Sequence, residues 1–433
     1  MCVAITGTTS DLVAGTTSLV WDTPTHKEGD LLLAGVITRG NYTLTDPSGW
    51  TLQSDTGSTS ASDHRTRVYY RTAGSSEPAT YTWTSSGPAG HHALLGIALN
   101  GVDPTTPISD DSTNTTSSST SPQWAAVTNP ADGAVILFGA HRSDATDTNL
   151  DWTDTSPSGY TKQEEVVLTT GGSSVRTSGF MTVNLFAATG TTGTLTGAID
   201  TAWDTFNVAI AVAPDPNRVF YDTFTNTAST LLESHTAMEC GISWTRVWGS
   251  TGEGVEVNSS NQAEATGGSS QGAIYTAETT YDSADYIVKA NFADVSIGAD
   301  DSVYLLARVQ DVDNMYALKM QDRDAASSSR LYKKVSGTWT ALGTAFTTPG
   351  DGAIVELSVV GDQIKAIVDG TTEDTVTDSS ITATGKAGLA FGGDSELENS
   401  GDDMTPSNAL DDFEVTTQES AAPSFTPVVM VVS

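Results

Sequence analysis

The chain has 433 residues, with 53 Asp plus Glu against 19 Lys plus Arg and a formal net charge of -34. Nucleic acid is not an expected partner of such a surface, because phosphate recognition needs clustered cations. The acidic excess suits a saline medium that screens it, or a coat kept for solubility. Only Cys2 and Cys240 occur, too few for a disulfide framework or a cysteine zinc site. No run approaches the ~18 apolar residues of a spanning helix, so no membrane insertion is expected. The opening Met1-Cys2-Val3-Ala4-Ile5-Thr6 lacks a basic leader region.

Helical periodicity is almost absent, and short alternating runs punctuated by Gly, Pro, Ser, Asp and Asn predict an all-β chain of antiparallel sandwiches. In the first part the candidate strands are Leu19 to Trp21, Leu31 to Ile37, Thr51 to Gln53, Thr66 to Arg71, Thr80 to Thr84 and Ala93 to Leu99. A faint internal repeat follows. Glu28-Gly29-Asp30-Leu31-Leu32-Leu33-Ala34-Gly35 is answered by Ala131-Asp132-Gly133-Ala134-Val135-Ile136-Leu137-Phe138-Gly139, Pro47-Ser48-Gly49-Trp50-Thr51 by Pro157-Ser158-Gly159-Tyr160-Thr161, and Ile97-Ala98-Leu99-Asn100-Gly101-Val102-Asp103-Pro104 by Val208-Ala209-Ile210-Ala211-Val212-Ala213-Pro214. Two half-units forming one sandwich with a pseudo-twofold is the expectation, over two small packed ones. Between them Ser109 to Ser121 is so rich in Ser and Thr that it reads as a flexible surface crossover.

Pro214-Asp215-Pro216-Asn217 can continue neither a ladder nor a helix, and 214–218 is read as a linker closing a domain of 1–213. A second domain, 219–416, opens on Val219 to Phe224 and closes on Asp411-Asp412-Phe413-Glu414-Val415. Its strands are Tyr286 to Phe292, Val303 to Gln310, Met315 to Gln321, Arg330 to Val335, Ile354 to Val360, Gln363 to Val368 and Gly388 to Phe391. Gly361-Asp362 and Asp369-Gly370 are hairpin turns. A polar linker and an apolar tail, Ser424 to Ser433, follow in 417–433, the tail being the candidate contact of a homo-oligomer.

The order of Phe220 to Phe224, Val303 to Gln310, Asn314 to Leu318, Gly361 to Gly370 and Asp411 to Val415 resembles the concanavalin A-like lectin/glucanase superfamily. That resemblance implies a jelly roll of two stacked sheets, a cell-surface glycan as partner, and a structural Ca2+ held between the terminal strands. Asp222 and Asp412 are its candidate ligands, with turn capping as the alternative. The first domain, through GDLLLAGV, SGWTLQ, RVYYRTA, EPATYTWT and ALNGVDPTTPI, is similar to modules of tailed-virus tail fibres and head decorations. The pairing implies a virion surface protein, assembled in the host cytoplasm among other virion proteins.

Alternation puts Tyr304 and Arg308 on one strand face, with Tyr332 and Lys334 beside them, an aromatic and cationic set suited to an acidic glycan. Ordinary ion pairs with the interspersed aspartates are the alternative. No metal or nucleophile motif appears. The nearest approach to a glucanase carboxylate pair, Asp394 to Asn399, reads as an acidic loop. The sequons at Asn41, Asn114 and Asn258 carry little weight in a chain so rich in Ser and Thr. The expected role is therefore non-enzymatic, in assembly and glycan contact; a free carbohydrate-binding protein of a saline microbe and a glycosidase are the other readings.

Overall fold

In the computed structural model the described residues are 3–40, 42–57, 64–87, 90–144, 157–167, 175–185, 189–199, 203–237, 241–249, 254–266, 272–279, 281, 283–295, 302–321, 329–392 and 408–418. Their alternating runs pair as antiparallel strands throughout, and the one helical element among them is the three-residue turn Leu232–Ser234. The chain is all-β and divides into two units, Met1–Pro216 and Asn217–Ser433.

Ten long strands build the first unit: β1 Ala4–Thr16, β2 Leu31–Arg39, β3 Thr51–Gly57, β4 His64–Thr72, β5 Gly90–Asn100, β6 Ile108–Ser119, β7 Ala134–Asp144, β8 Thr161–Val167, β9 Val175–Leu185 and β10 Trp203–Val212. They form two five-stranded sheets, β1-β5-β2-β4-β3 and β6-β10-β7-β9-β8. Each half of the unit thus contributes one whole sheet, with its strands in the same order. Leu33, Ile37, Leu95 and Ile97 meet Ile136, Phe138, Val208 and Ile210 in the core between the sheets. The opposite face of each sheet is also apolar, as strands buried on both sides require. Trp21, Trp50 and Trp83 cover the first, and Trp124, Val127 and Ile199 the second.

Two expectations are corrected here. The stretch from Ser109 to Ser121 is not a free crossover: Ile108 to Ser119 is the edge strand β6, paired along β10 from Val212↔Ile108 to Trp203↔Ser119. Its hydroxyls serve the backbone, Ser112 Oγ donating to Ala125 O at 2.8 Å and Ser109 Oγ to Ala211 O at 3.1 Å. The repeat also runs two residues out of the expected phase in its last strand. Ile97 pairs with Leu33 and Ile210 with Ile136, so Ile97 corresponds to Ile210 rather than Val208.

The second unit is a sandwich of a nine-stranded and an eight-stranded sheet among the described residues. Its longer strands are β11 Arg218–Asp222, β12 Ile242–Trp248, β13 Ala273–Ala277, β14 Tyr286–Val295, β15 Ser302–Asp311, β16 Asn314–Gln321, β17 Ser329–Val335, β18 Thr338–Phe346, β19 Ala353–Val360, β20 Gln363–Val368, β21 Thr371–Thr377, β22 Lys386–Gly392 and β23 Asn408–Thr417. The nine-stranded sheet contains the run β23-β14-β19-β20-β21, and the first strand, β11, lies against the last, β23, with Phe220 opposite Val415 and Asp222 opposite Phe413. The eight-stranded sheet contains β12-β13-β22-β15-β16-β17-β18. Between them Phe220, Trp244, Tyr286, Leu305, Leu318, Leu357, Leu389 and Phe413 form the core.

Candidate functional site

The eight-stranded sheet turns a second, largely apolar face away from the core, carrying Ile274, Tyr304, Leu306, Val309, Met315 and Ala317. Three of the four expected ligand-binding residues belong to this face. Tyr304 stands opposite Lys319, Tyr332 opposite Ala317, and Lys334 opposite both Met315 and Trp339. Trp339 gathers them, its ring 6.5 Å from that of Tyr304 and 6.4 Å from that of Tyr332, with Lys334 Nζ 5.6 Å from its centroid. Tyr304 is buried, and so is the Lys334 side chain, whose Nζ lies 3.8 Å from Asp313 Oδ1.

Arg308 does not join them. The ladders on both sides of β15 shift register around it, and its φ of 48° places it in the left-handed region. A bulge of this kind inverts the alternation beyond it. Val309 therefore falls on the Tyr304 face and Arg308 on the other. The guanidinium is buried and donates to the carbonyls of Ala284 at 2.9 Å, Ile381 at 2.8 Å and Gly361 at 2.9 Å, and to Asp285 Oδ1 at 3.2 Å. It ties the eight-stranded sheet to the β19–β20 hairpin turn and is a fold residue.

The two aspartates proposed for calcium do not fit that ion. Asp222 is fully buried, and its carboxylate accepts from Phe224 N at 2.7 Å, Trp244 Nε1 at 2.6 Å and His235 Nε2 at 2.9 Å. Asn226 Nδ2 meets the other ring nitrogen of His235 at 2.9 Å. Since a carboxylate offers only acceptors, Nε2 carries the imidazole proton. Asp412 lies on the opposite side of the sheet, accepting from Tyr221 Oη at 2.7 Å. Alternation separates the two: Asp222 shares the side of Phe220, whereas Asp412 precedes the core residue Phe413 and turns outward. Among the described residues no three His, Cys, Asp or Glu gather as a metal site.

The open part of the face is a cleft of about 410 Å³ across the ends of β12, β13, β22 and β15. Val247, Val309 and Tyr281 give it an apolar lining. Thr276 points into it by the alternation of β13, in which Tyr275 and Ala277 face the core. This threonine is 1% exposed, and its hydroxyl has no hydrogen-bond partner. Beside it Lys386 Nζ bonds Glu278 Oε1 at 2.5 Å. That bond, outweighing burial, holds the Glu278 carboxyl below its usual range. At the far wall the side chain of Asn314 and the N–H of Asp313 hold Asp311 low as well.

None of Thr276, Glu278, Lys386 or Trp339 was singled out by sequence reasoning. The signal available was the alternation of Ala273-Ile274-Tyr275-Thr276-Ala277, a polar residue at an outward position of a buried strand. The carboxylates of Asp394 to Asn399, the tail Ser424 to Ser433, both cysteines and the Asn41 sequon lie outside the described residues. At the other two sequons the amide is engaged, Asn114 Nδ2 with Gln123 O at 3.0 Å and Asn258 Nδ2 with Glu264 Oε2 at 2.9 Å.

These features define an all-β protein of two sandwich units, the second with a polar-edged cleft on one sheet. No family model and no curated protein matches the chain. Similar solved structures include the carbohydrate-binding module CBM66 from Bacillus subtilis, at 15% identity over 40% of this chain and 95% of that one, with a TM-score of 0.30. Domain 4 of AbnA, a GH43 extracellular arabinanase from Geobacillus stearothermophilus in complex with arabinotriose, matches at 15% identity over 46% and 92%, TM-score 0.28. CG-16, a homodimeric agglutinin from chicken liver, matches at 18% over 34% and 99%, TM-score 0.23. At such identities and scores none of these likenesses bears on what this chain binds.

Proposed function

We propose that the protein is a non-enzymatic glycan-binding protein whose ligand occupies the cleft on the eight-stranded sheet. The observation that carries this reading is the buried Thr276 hydroxyl, unpartnered at the wall of a cleft that also offers an apolar lining and a charged pair. Where such a group stands at a cleft wall, a ligand's own polar group can complete the fold's hydrogen bonding. A sugar ring has the matching character, with C–H surfaces for Val247 and Val309 and hydroxyls for Thr276, Glu278 and Lys386. Because Glu278 neutralises Lys386, the cleft suits a neutral saccharide better than an acidic one.

Binding rather than cleavage is the reading that the two carboxyls described in the cleft support. Glycoside hydrolysis needs one carboxylic acid raised enough to stay protonated. Glu278 and Asp311 are both shifted the other way. Placement on a virion surface, among other virion proteins and as a homo-oligomer, is the finer half of the proposal. It rests on the order of motifs in the first unit, and co-purification with virus particles tests it.

The test of the cleft is a glycan array probed with the full chain and with Thr276→Val and Glu278→Gln. The expected result is binding by the parent that weakens roughly tenfold in each variant, as loss of one well-placed hydrogen bond does, at an unchanged unfolding midpoint. No binding by the parent, or binding by both variants as tight as the parent's, overturns the cleft assignment, and release of reducing sugar overturns the non-enzymatic part.

A further inference from the structure

The repeat in the first unit has an axis, and two pairs of bulges locate it independently. β1 is bulged at Thr6, between the pairs Ile5↔Leu99 and Gly7↔Ala98; β6 is bulged at Ser109, between Ile108↔Val212 and Asp110↔Ala211. β3 is bulged at Gln53, between Leu52↔Tyr69 and Ser54↔Val68; β8 is bulged at Gln163, between Lys162↔Thr182 and Glu164↔Met181. From the second pair of bulges, Val68 corresponds to Met181, and these stand opposite Gly35 and Phe138. From the first pair, Leu99 corresponds to Val212, and these stand opposite Leu31 and Ala134, four residues before Gly35 and Phe138. Both routes make Gly35 and Phe138 counterparts.

They are also neighbours across the core. A Cβ on residue 35 would lie 2.5 Å from Cδ1 and 2.8 Å from Cε1 of Phe138. Counterparts that touch one another lie on the local two-fold axis. Contacts off the axis come in matched pairs, as a two-fold requires. Thr66 Oγ1 donates to Phe206 O at 2.9 Å, and their counterparts Gly179 and Ala93 also meet, a Cβ on Gly179 falling 3.2 Å from that of Ala93.

We infer that the first unit is a fused pair of subunit-like halves, in which Gly35 and Phe138 make the inner face of each half selective for the other half over a copy of itself. On an axis each residue of a symmetric pair meets its own twin. Two glycines there would leave a void the size of a ring, and two phenylalanines would claim the same space, whereas the mixed pair fills it once. The sheet edges diverge in the same sense. Where β1 crosses β8, Thr8 and Ser10 donate to Glu164 at 2.6 and 2.8 Å; at the matching crossing of β3 and β6, Gln53 Nε2 donates to Asp111 at 2.8 Å. A half with an apolar face and open edges is prone to pair with a second copy, and unlike axis residues and unlike edge pins both oppose that.

The test uses the full chain with Gly35→Phe, Phe138→Gly and the two combined, read by thermal unfolding and by hydrogen exchange of β2 and β7. The Phe138→Gly void should lower the first unit's midpoint by roughly 10 °C, and Gly35→Phe, which brings two rings together, should lower it at least as far. The combined variant moves the ring across the axis into equivalent space. It should recover at least half of the Phe138→Gly loss and restore protection of both strands. Should Gly35→Phe fail to fold, the comparison of Phe138→Gly with the combined variant decides alone. A combined variant no more stable than Phe138→Gly overturns the inference.

Discussion

On the nine-stranded sheet of the second unit, positions turned away from the core hold Lys289, Glu356 and Glu414 with Arg218 beside them; on the eight-stranded sheet they hold Tyr304, Met315, Ala317 and Tyr332. Both follow from the same alternation, but their polar groups are disposed differently. Glu414 takes Arg218 Nε at 3.1 Å and also the ammonium of Lys289, while the Arg218 guanidinium lies 3.6 Å over the ring of Tyr221. Burial would raise the Glu414 carboxyl, but those two cations hold it below its usual range. On the other sheet the Thr276 hydroxyl and the Trp339 indole N–H have no partner. The ionic face also leaves Asn291 Oδ1 and Arg218 Nη1 and Nη2 without hydrogen-bond partners, so the difference lies in the cleft: on the eight-stranded sheet an unpartnered group, the Thr276 hydroxyl, stands at the wall of a space that a ligand fits.

The comparison is broken most directly by Glu414→Ala. It leaves the buried Arg218 guanidinium without its carboxylate, while Lys289 keeps Glu356 across the ladder. Removing one partner of a buried pair costs about 3–5 kcal/mol, so the denaturation midpoint of the second unit should fall steeply. Glycan binding, measured below the new midpoint, should not change. A large loss of binding at intact fold would mean that the ligand uses the ionic face.

A smaller effect is expected from Asp222→Asn. The amide keeps one acceptor oxygen but presents donors to Trp244 Nε1 or His235 Nε2, which already donate. Lost hydrogen bonds to a charged group cost about 2 kcal/mol. Adding Ca2+ to the parent should leave its unfolding midpoint in place, because the Asp222 oxygens are already taken by protein donors. A calcium-dependent rise abolished by Asp222→Asn would restore the metal reading.

Much of this fold is legible in the sequence, and the exceptions have local causes. Strands such as Leu31 to Ile37 and Val303 to Gln310 are marked by β-branched and aromatic residues between turn formers, and the Gly361-Asp362 and Asp369-Gly370 turns close their hairpins with Val360 opposite Gln363 and Val368 opposite Thr371. β6 was hidden because Ser and Thr composition says nothing of the neighbouring strand that accepts the pairing. The place of Arg308 was hidden because nothing in Arg308-Val309-Gln310-Asp311, no glycine above all, announces a bulge. The cleft was the least legible of all. Its walls come from four strands distant in sequence, and Thr276 becomes notable only when its hydroxyl is seen to lack a partner.

The smallest expected effect concerns a carboxylate at the end of β21, where the two sheets of the second unit are fastened together. Asp378 accepts from Lys333 Nζ at 2.5 Å, Tyr316 Oη at 2.7 Å and Ser380 N at 2.9 Å. Burial alone would raise its carboxyl, but Lys333, Tyr316 and Ser380 together hold it well below the ordinary range. A group depressed on folding contributes stability above its unfolded value of about 3.9, and that contribution is lost as the pH falls through the folded value. Asp378→Asn should therefore cost about 1 kcal/mol at neutral pH, and the gap between parent and variant should narrow as the pH is lowered from about 4. The measurement is the denaturation midpoint of both proteins from pH 7 downward. A gap that stays constant would show that Asp378 fastens the sheets through its shape and hydrogen bonds rather than its charge, and the contrast between charge-paired and open polar groups would then not extend to this seam.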